Sequence, residues 1–396
     1  MSYSVIMVEK ESHPFLFYWA VFFSYVMSMF IILPFLGLYA ISLGATSGMV
    51  GILYGSSYVA GFFACLPAAA LADRFGNRFF IIVGMIMNAI GLIIIILVRI
   101  PELIILGVIL QGAGFAVFQP SMFSYLLQSI DGKSNKDRLI GFTLTSPPLA
   151  QFLSPALGST MILVGGFLGV FGMAVVLGWS CLFLGIQFIT GGMPANPELR
   201  VNLGSMVPAI RSVLTKSLFP ALSIRSACAY VYGSSVAFLP LMAHQIFGYE
   251  AVDVGILFSI ASIANIISRP CGAYLTKIKG SRFVFVVGML FTVPGTLLFA
   301  FPLHHFFLWI GLSLNGFGLG CTLPASIELV GRVVPSERRT FGMGFLTASI
   351  GLGAFAGSLI SVIMLEVGGF TLLFLISALI ALVALASQFL PKINSI

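Results

Sequence analysis

The chain has 396 residues, of which 59% are hydrophobic and 8% charged, with 43 glycines and a net charge of +7. A soluble surface normally carries about 25% charged residues, so water is excluded as the main solvent and lipid takes its place. Where no water reaches, backbone polar groups must be satisfied inside the element, and apolar runs of helical length without alternation give helices rather than barrel strands.

Twelve apolar runs are predicted as spans in chain order, at 15–41, 48–72, 79–98, 103–128, 139–164, 167–190, 218–243, 251–275, 283–302, 306–330, 341–365 and 370–390. Each can cross about 30 Å of hydrocarbon. The first 14 residues mix Glu9, Lys10 and Glu11 and lack a basic leader with a small-residue cleavage site, so the first span is expected to stay in the protein. Its Leu33–Pro34 ending resembles Leu239–Pro240 in the seventh span. Pro147 and Pro148 break the start of the fifth span, and only Gly165 and Gly166 join it to the sixth. The largest interior hydrophilic stretch follows, from Gly191 to Lys216; it is too short for a folded domain and reads as a cytoplasmic tether. The predicted division is a six-helix bundle at 1–190, a linker at 191–216 and a second six-helix bundle at 217–396.

The two halves are copies. Residues 44–120 align without a gap on 248–324, with twenty of 77 positions identical, which marks an internal duplication of one membrane unit. Gly44 and the run Val50, Gly51, Ile52, Leu53 recur as Gly248 and Val254, Gly255, Ile256, Leu257. Gly76, Arg78 and Phe79 recur as Gly280, Arg282 and Phe283, and Gly84, Gly91, Gly112, Gly114 and Pro120 as Gly288, Gly295, Gly316, Gly318 and Pro324.

Basic residues orient the chain. An N-terminus inside the cell places 16 of the 19 Lys and Arg on the cytoplasmic side, and the external loops then keep Arg99 with Glu102, Glu250, Asp253 and Glu366. Both termini are expected to be cytoplasmic, and the charge reports topology, with no nucleic-acid partner. Cys65, Cys181, Cys228, Cys271 and Cys321 all fall inside spans, and His13, His244, His304 and His305 lack metal spacing, so no disulfide framework, metal or cofactor is expected. No nucleotide-binding loop appears, which excludes ATP as the energy source.

Six plus six helices as parallel repeats about an axis along the membrane normal, with a long cytoplasmic middle loop, resemble the major facilitator superfamily, and the likeness covers nearly the whole chain. The most specific motif is Leu71, Ala72, Asp73, Arg74, Phe75, Gly76, Asn77 and Arg78, which is similar to the superfamily's loop 2–3 signature, with Ala69 where that signature begins with glycine. The resemblance implies that Asp73, with Arg74, Gly76 and Arg78, latches the halves in the outward-facing state; Arg138 and the Arg338–Arg339 pair are the basic partners in reach by loop position. The alternative for this stretch is a polar turn that obeys the positive-inside pattern. Lys277 replaces the aspartate in the second copy, so one latch is expected. The fourth-span motif retains Gln111 and Gly112 but has Val108 in place of the arginine that the family associates with proton coupling. The exporter element of the fifth span persists in reduced form as Ser154, Pro155, Ala156, Leu157 and Gly158.

Polar side chains near mid-depth are the substrate-cavity candidates: Tyr25, Tyr58, Gln111, Gln119, Gln151, Tyr230, Asn265 and Asn315. Interhelical hydrogen bonding explains any one of them equally well. Apart from Asp253 at the outer end of the eighth span, Arg225, Arg269 and Glu328 are the only charges inside spans. Arg225 either attracts an anionic substrate or pairs internally; snorkelling or an ion pair suits Arg269 and Glu328. Because the first half has no carboxylate inside a span, Glu328 is the candidate if protons are the coupling ion.

The expected fold is therefore an all-α integral membrane protein with twelve transmembrane helices in two six-helix bundles related by a pseudo-two-fold axis. The expected function is a secondary transporter, not an enzyme, that works by alternating access and exports small amphipathic organic molecules across the inner (plasma) membrane as a monomer. The alternative is an importer or facilitator for a nutrient or an organic anion.

Overall fold

The computed structural model describes residues 2–129, 143, 145–189, 218–333 and 339–389. The linker 191–216, Arg138 and Arg338, and the side chains of Asp73, Arg74 and Arg339 lie outside the described part. Among the described residues the chain runs as eleven helices: α1 (Ser2–Phe30), α2 (Leu33–Ser42), α3 (Ser47–Phe75), α4 (Asn77–Leu97), α5 (Pro101–Ser129), α6 (Ser146–Phe188), α7 (Phe219–Phe247), α8 (Ala251–Lys279), α9 (Ser281–Ala300), α10 (Phe306–Val333) and α11 (Arg339–Ser387).

Ten stretches are long and apolar enough to cross a membrane. Two of them are double: α6 leaves helical geometry at Gly165 and Gly166, and α11 does so at Gly368 and Gly369. Each of those helices folds back as two spans, which accounts for the expected twelve. In both breaks the second glycine has a positive φ, 60° at Gly166 and 66° at Gly369, a conformation that a Cβ would strain.

The other positive-φ glycines obey the same symmetry. Gly44 and Gly248 have φ of 93° and 67°, and Gly76 and Gly280 have 91° and 83°. Thus all six positive-φ residues among the described ones fall into three repeat-related pairs, and the duplication seen in sequence is a duplication of backbone conformation. Gly248 ends α7 in the left-handed region, and the amides of Gly248 and Tyr249 turn back to the carbonyls of His244 and Ala243. The next helix starts on a capping box, with the Glu250 amide donating to Asp253 Oδ2 at 2.9 Å.

The first helices of the two halves respond differently to a proline near the end of the span. Pro34 has no N–H to return to the preceding turn, and the chain breaks at Ile31 and Ile32 between α1 and α2, whereas α7 continues through Pro240. The predicted first span is thus two helices end to end.

Contacts gather the chain into two compact units, Met1–Leu33 with Phe63–Val201, and Pro34–Phe62 with Asn202–Ile396. In the first, α4 packs on α5 and α6, and α1 packs on α6. Its core holds Phe22, Tyr25, Met85, Phe118 and Cys181. In the second, α7 packs on α11, α8 on α10, and α9 on both α10 and α11, around Ile224, Phe285, Met289 and Cys321. Large apolar side chains such as Leu97, Leu163, Val164, Leu290 and Val383 remain exposed, as lipid-facing surface should.

Glycine sets the helix crossings. A Cβ at Gly84 would lie 2.7 Å from the Gly114 carbonyl, and one at Gly91 2.5 Å from that of Gly107; in the second copy a Cβ at Gly288 or Gly295 would lie 3.1 or 2.8 Å from the carbonyls of Gly318 and Gly311. The α4–α5 and α9–α10 crossings therefore use the same glycines, because lipid supplies no hydrophobic drive and close backbone approach must hold helices together. Gly316, Gly353 and Gly357 make similar approaches to the carbonyls of Ala261, Ser226 and Tyr230.

Candidate functional site

In the first unit the structure commits two cavity candidates to packing. Tyr25 is fully buried, stacks on Phe118 with ring centroids 3.9 Å apart, and donates its hydroxyl to the Gly84 carbonyl at 3.3 Å. Gln111 donates to Asn88 at 3.3 Å, Asn88 to Ser28 at 3.0 Å, and Ser28 to the Tyr25 carbonyl at 2.8 Å. This relay ties α5, α4 and α1 together. Gln119 and Gln151 are partly exposed. Pro155 and Gly158 are buried in α6, where Ser154 reaches the Met27 carbonyl of α1 at 3.5 Å and Ser159 donates to the Pro155 carbonyl at 3.0 Å. Of the latch motif, Gly76 supplies the positive-φ turn between α3 and α4, and the Arg78 Nε is buried without a hydrogen-bond partner.

The second unit gathers the remaining candidates around α7. Phe219, Ser223, Ser226, Ala227 and Tyr230 lie along one face of α7 and, with Leu352, Gly353 and Ala356 on the first arm of α11 and Ile380, Val383, Ala384 and Ser387 on the second, line an open cavity of about 410 Å³, with Phe219, Leu352 and Val383 exposed at its mouth. Steps of three and four residues put those α7 side chains on one stripe. The walls are apolar except for three serine hydroxyls and Tyr230. Tyr230 stands out in the sequence as a mid-span tyrosine and the serines do not, although the spacing of 219, 223, 226 and 230 displays the stripe.

Arg225 occupies a different face of α7, is 5% exposed, and donates Nη1 to the Leu319 carbonyl at 3.3 Å and to Thr322 Oγ1 at 3.2 Å, both on α10. Its Nε is buried without a partner. A cation at such depth costs about 3 kcal/mol to insert, and no carboxylate among the described residues offsets it. Arg269 donates Nε to Asn265 Oδ1 at 3.1 Å, one turn earlier on α8. Asn315 accepts from Thr296 at 3.2 Å and leaves its Nδ2 buried without a partner. Glu328 pairs with Arg332 one turn on and is about one-third exposed.

Tyr58 is half-buried on α3, with its carbonyl beside Gly351 of α11. The same stretch of α3 makes a tight approach to α11 that the sequence did not single out as a site. A Cβ on Gly51 would come within 2.3 Å of the Val362 side chain and 2.8 Å of the Ser358 carbonyl, and Gly55 abuts Ser358 and Phe355. The Tyr54 hydroxyl accepts from the Gly37 amide at 3.1 Å and so pins α2 to α3.

Comparison with known proteins agrees with this architecture. A transporter of the same general type from Methanocaldococcus jannaschii is 22% identical over 375 residues, covering 92% of this chain and 94% of its own. The multidrug resistance protein MdtH of Blochmanniella floridana is 21% identical over 344 residues, covering 85% of this chain and 84% of its own. The crystal structure of the nucleoside transporter NupG superposes with a TM-score of 0.75 at 16% identity, covering 96% of this chain and 100% of that one, and shares the fold. The family description Major Facilitator Superfamily matches residues 18–302 and 274–394, and with twelve paired spans and a duplicated glycine framework the chain belongs to that superfamily of membrane transporters.

Proposed function

We propose that the protein is a secondary active transporter that exports small amphipathic organic molecules from the cytoplasm by alternating access, with protons as the coupling ion. The observation that carries the substrate class is the cavity between α7 and the two arms of α11. Its volume of about 410 Å³ falls in the range of small-molecule sites, and its apolar walls with three serines suit a molecule that has both a greasy body and a polar edge. Similarity to a multidrug resistance protein supports export.

In this reading the repeats 1–190 and 217–396 are the moving bodies, the tether 191–216 joins them on the cytoplasmic side of the inner membrane, and one chain suffices. The contact of Gly51 and Gly55 with α11 is the outer gate in its closed form. Asp73 is the cytoplasmic latch, with Arg138 or the Arg338–Arg339 pair as partner. Glu328, the only described carboxylate in the cytoplasmic half of a span, is the coupling candidate, alternating between a proton and Arg332.

A second reading, import or facilitated passage of a nutrient or organic anion, draws on Arg225 and on Val108 in place of an arginine. Growth separates the two. Cells that express the protein are expected to tolerate higher doses of amphipathic toxicants, and Ala227→Trp, which fills the cavity, is expected to abolish that tolerance. Growth that depends on an external compound, with no gain in tolerance, would favour the second reading.

A further inference from the structure

Arg225 has a feature that its packing role leaves unused. Both of its hydrogen bonds run through Nη1, to Leu319 and Thr322 on α10. The Nε, one of the donors by which guanidinium groups grip carboxylates and phosphates in two parallel bonds, is buried and has no partner. Helix α8 meets α10 at the same level: a Cβ on Gly320 would lie 2.2 Å from both the Asn265 carbonyl and Ser268 Oγ. Asn265 in turn holds Arg269 at 3.1 Å, and Arg225 lies within electrostatic reach of Arg269. Two cations thus converge on one crossing, with no described carboxylate bonded to Arg225.

Charged side chains inside a span are costly and mark substrate or ion pathways. We infer that the α7–α8–α10 junction is an anion subsite, in which the Nε of Arg225, with the charge of Arg269 beside it, receives the carboxylate, sulfonate or phosphate of an amphipathic substrate. This rests on the transport reading for its purpose, but binding at the subsite is independent of direction and coupling.

The test uses the purified full-length protein in phosphatidylcholine nanodiscs and follows its unfolding temperature. The probes are matched pairs: 4-phenylbutyrate with 4-phenylbutyramide, benzenesulfonate with benzenesulfonamide, and phenyl phosphate with phenol. At least one anion is expected to stabilise the wild type while its neutral partner does not, with affinity at least tenfold weaker in Arg225→Gln, partly retained in Arg225→Lys, and weakened in Arg269→Gln. Equal shifts from acid and neutral partner in the wild type would overturn the subsite whether or not the variants fold, as would an undiminished shift in Arg225→Gln. Stabilisation by inorganic phosphate alone, or by phosphatidylglycerol nanodiscs alone, would overturn it by assigning the site to a free ion or to a lipid headgroup. Export of neutral compounds that persists unchanged in Arg225→Gln, with no anion bound, would remove the subsite and leave the export reading intact.

Discussion

Buried amides show how far a single residue can be read. Gln111 and Asn315 occupy equivalent positions of the two copies, and in each copy the amide bonds across to the neighbouring helix, to Asn88 in one and Thr296 in the other. Depth was legible from sequence, because a polar residue in an apolar run stands out. Direction was not, because it depends on which neighbour each face meets. Tyr25 illustrates the point: as a mid-span tyrosine it resembled a cavity residue, yet its ring lies flat on Phe118. Asn88→Leu is expected to cost about 1 kcal/mol, lowering the thermal midpoint by about 2 °C without changing substrate preference; a shift in preference at unchanged stability would place this relay in the cavity. Glu328 shares a helical turn with Arg332, and such a pair contributes only a few tenths of a kcal/mol, so stability does not explain it. Glu328→Gln is expected to fold normally and to lose uncoupler-sensitive transport. Full, uncoupler-sensitive transport in that variant would make Glu328 structural.

At the scale of helices, glycine and proline carried most of the readable information. Gly165–Gly166 was the only punctuation between two apolar runs, and the structure breaks α6 there. Pro34 and Pro240 looked alike in sequence, yet only the first lies at a break, since neighbours can accommodate the carbonyl a proline leaves unpaired. Close approach, by contrast, is a property of pairs, and repetition was its only trace in sequence: Gly84 and Gly288 recur because both copies need a bare backbone against the next helix. Gly84→Val and Gly288→Val are both expected to reduce the yield of folded protein severely, measured by gel filtration in detergent. Gly44→Ala and Gly248→Ala, which meet no neighbour within 4 Å but must hold a positive φ, are expected to lose only about 1 kcal/mol each. Comparable losses in the two pairs would contradict the assignment of one to packing and the other to backbone conformation.

For the whole molecule, the solvent, the span count and the duplication were all present in the sequence, because lipid dictates composition and length before any contact forms. The cavity and the packing of Pro34–Phe62 within the second unit were not, since both arise between segments more than a hundred residues apart. Gly51→Leu, whose side chain would run into Val362 and the Ser358 carbonyl, is expected to express normally and to slow transport at least tenfold by preventing outer closure. The most direct measurement uses inverted membrane vesicles containing the protein, energised to form a proton gradient, with a pH-sensitive dye followed as amphipathic cations, neutral compounds and anions are added. Export coupled to protons predicts dye recovery that requires both a compound and the intact protein, and that disappears in Ala227→Trp. Silence across the whole panel, from vesicles in which the protein is folded and correctly inserted, would contradict it.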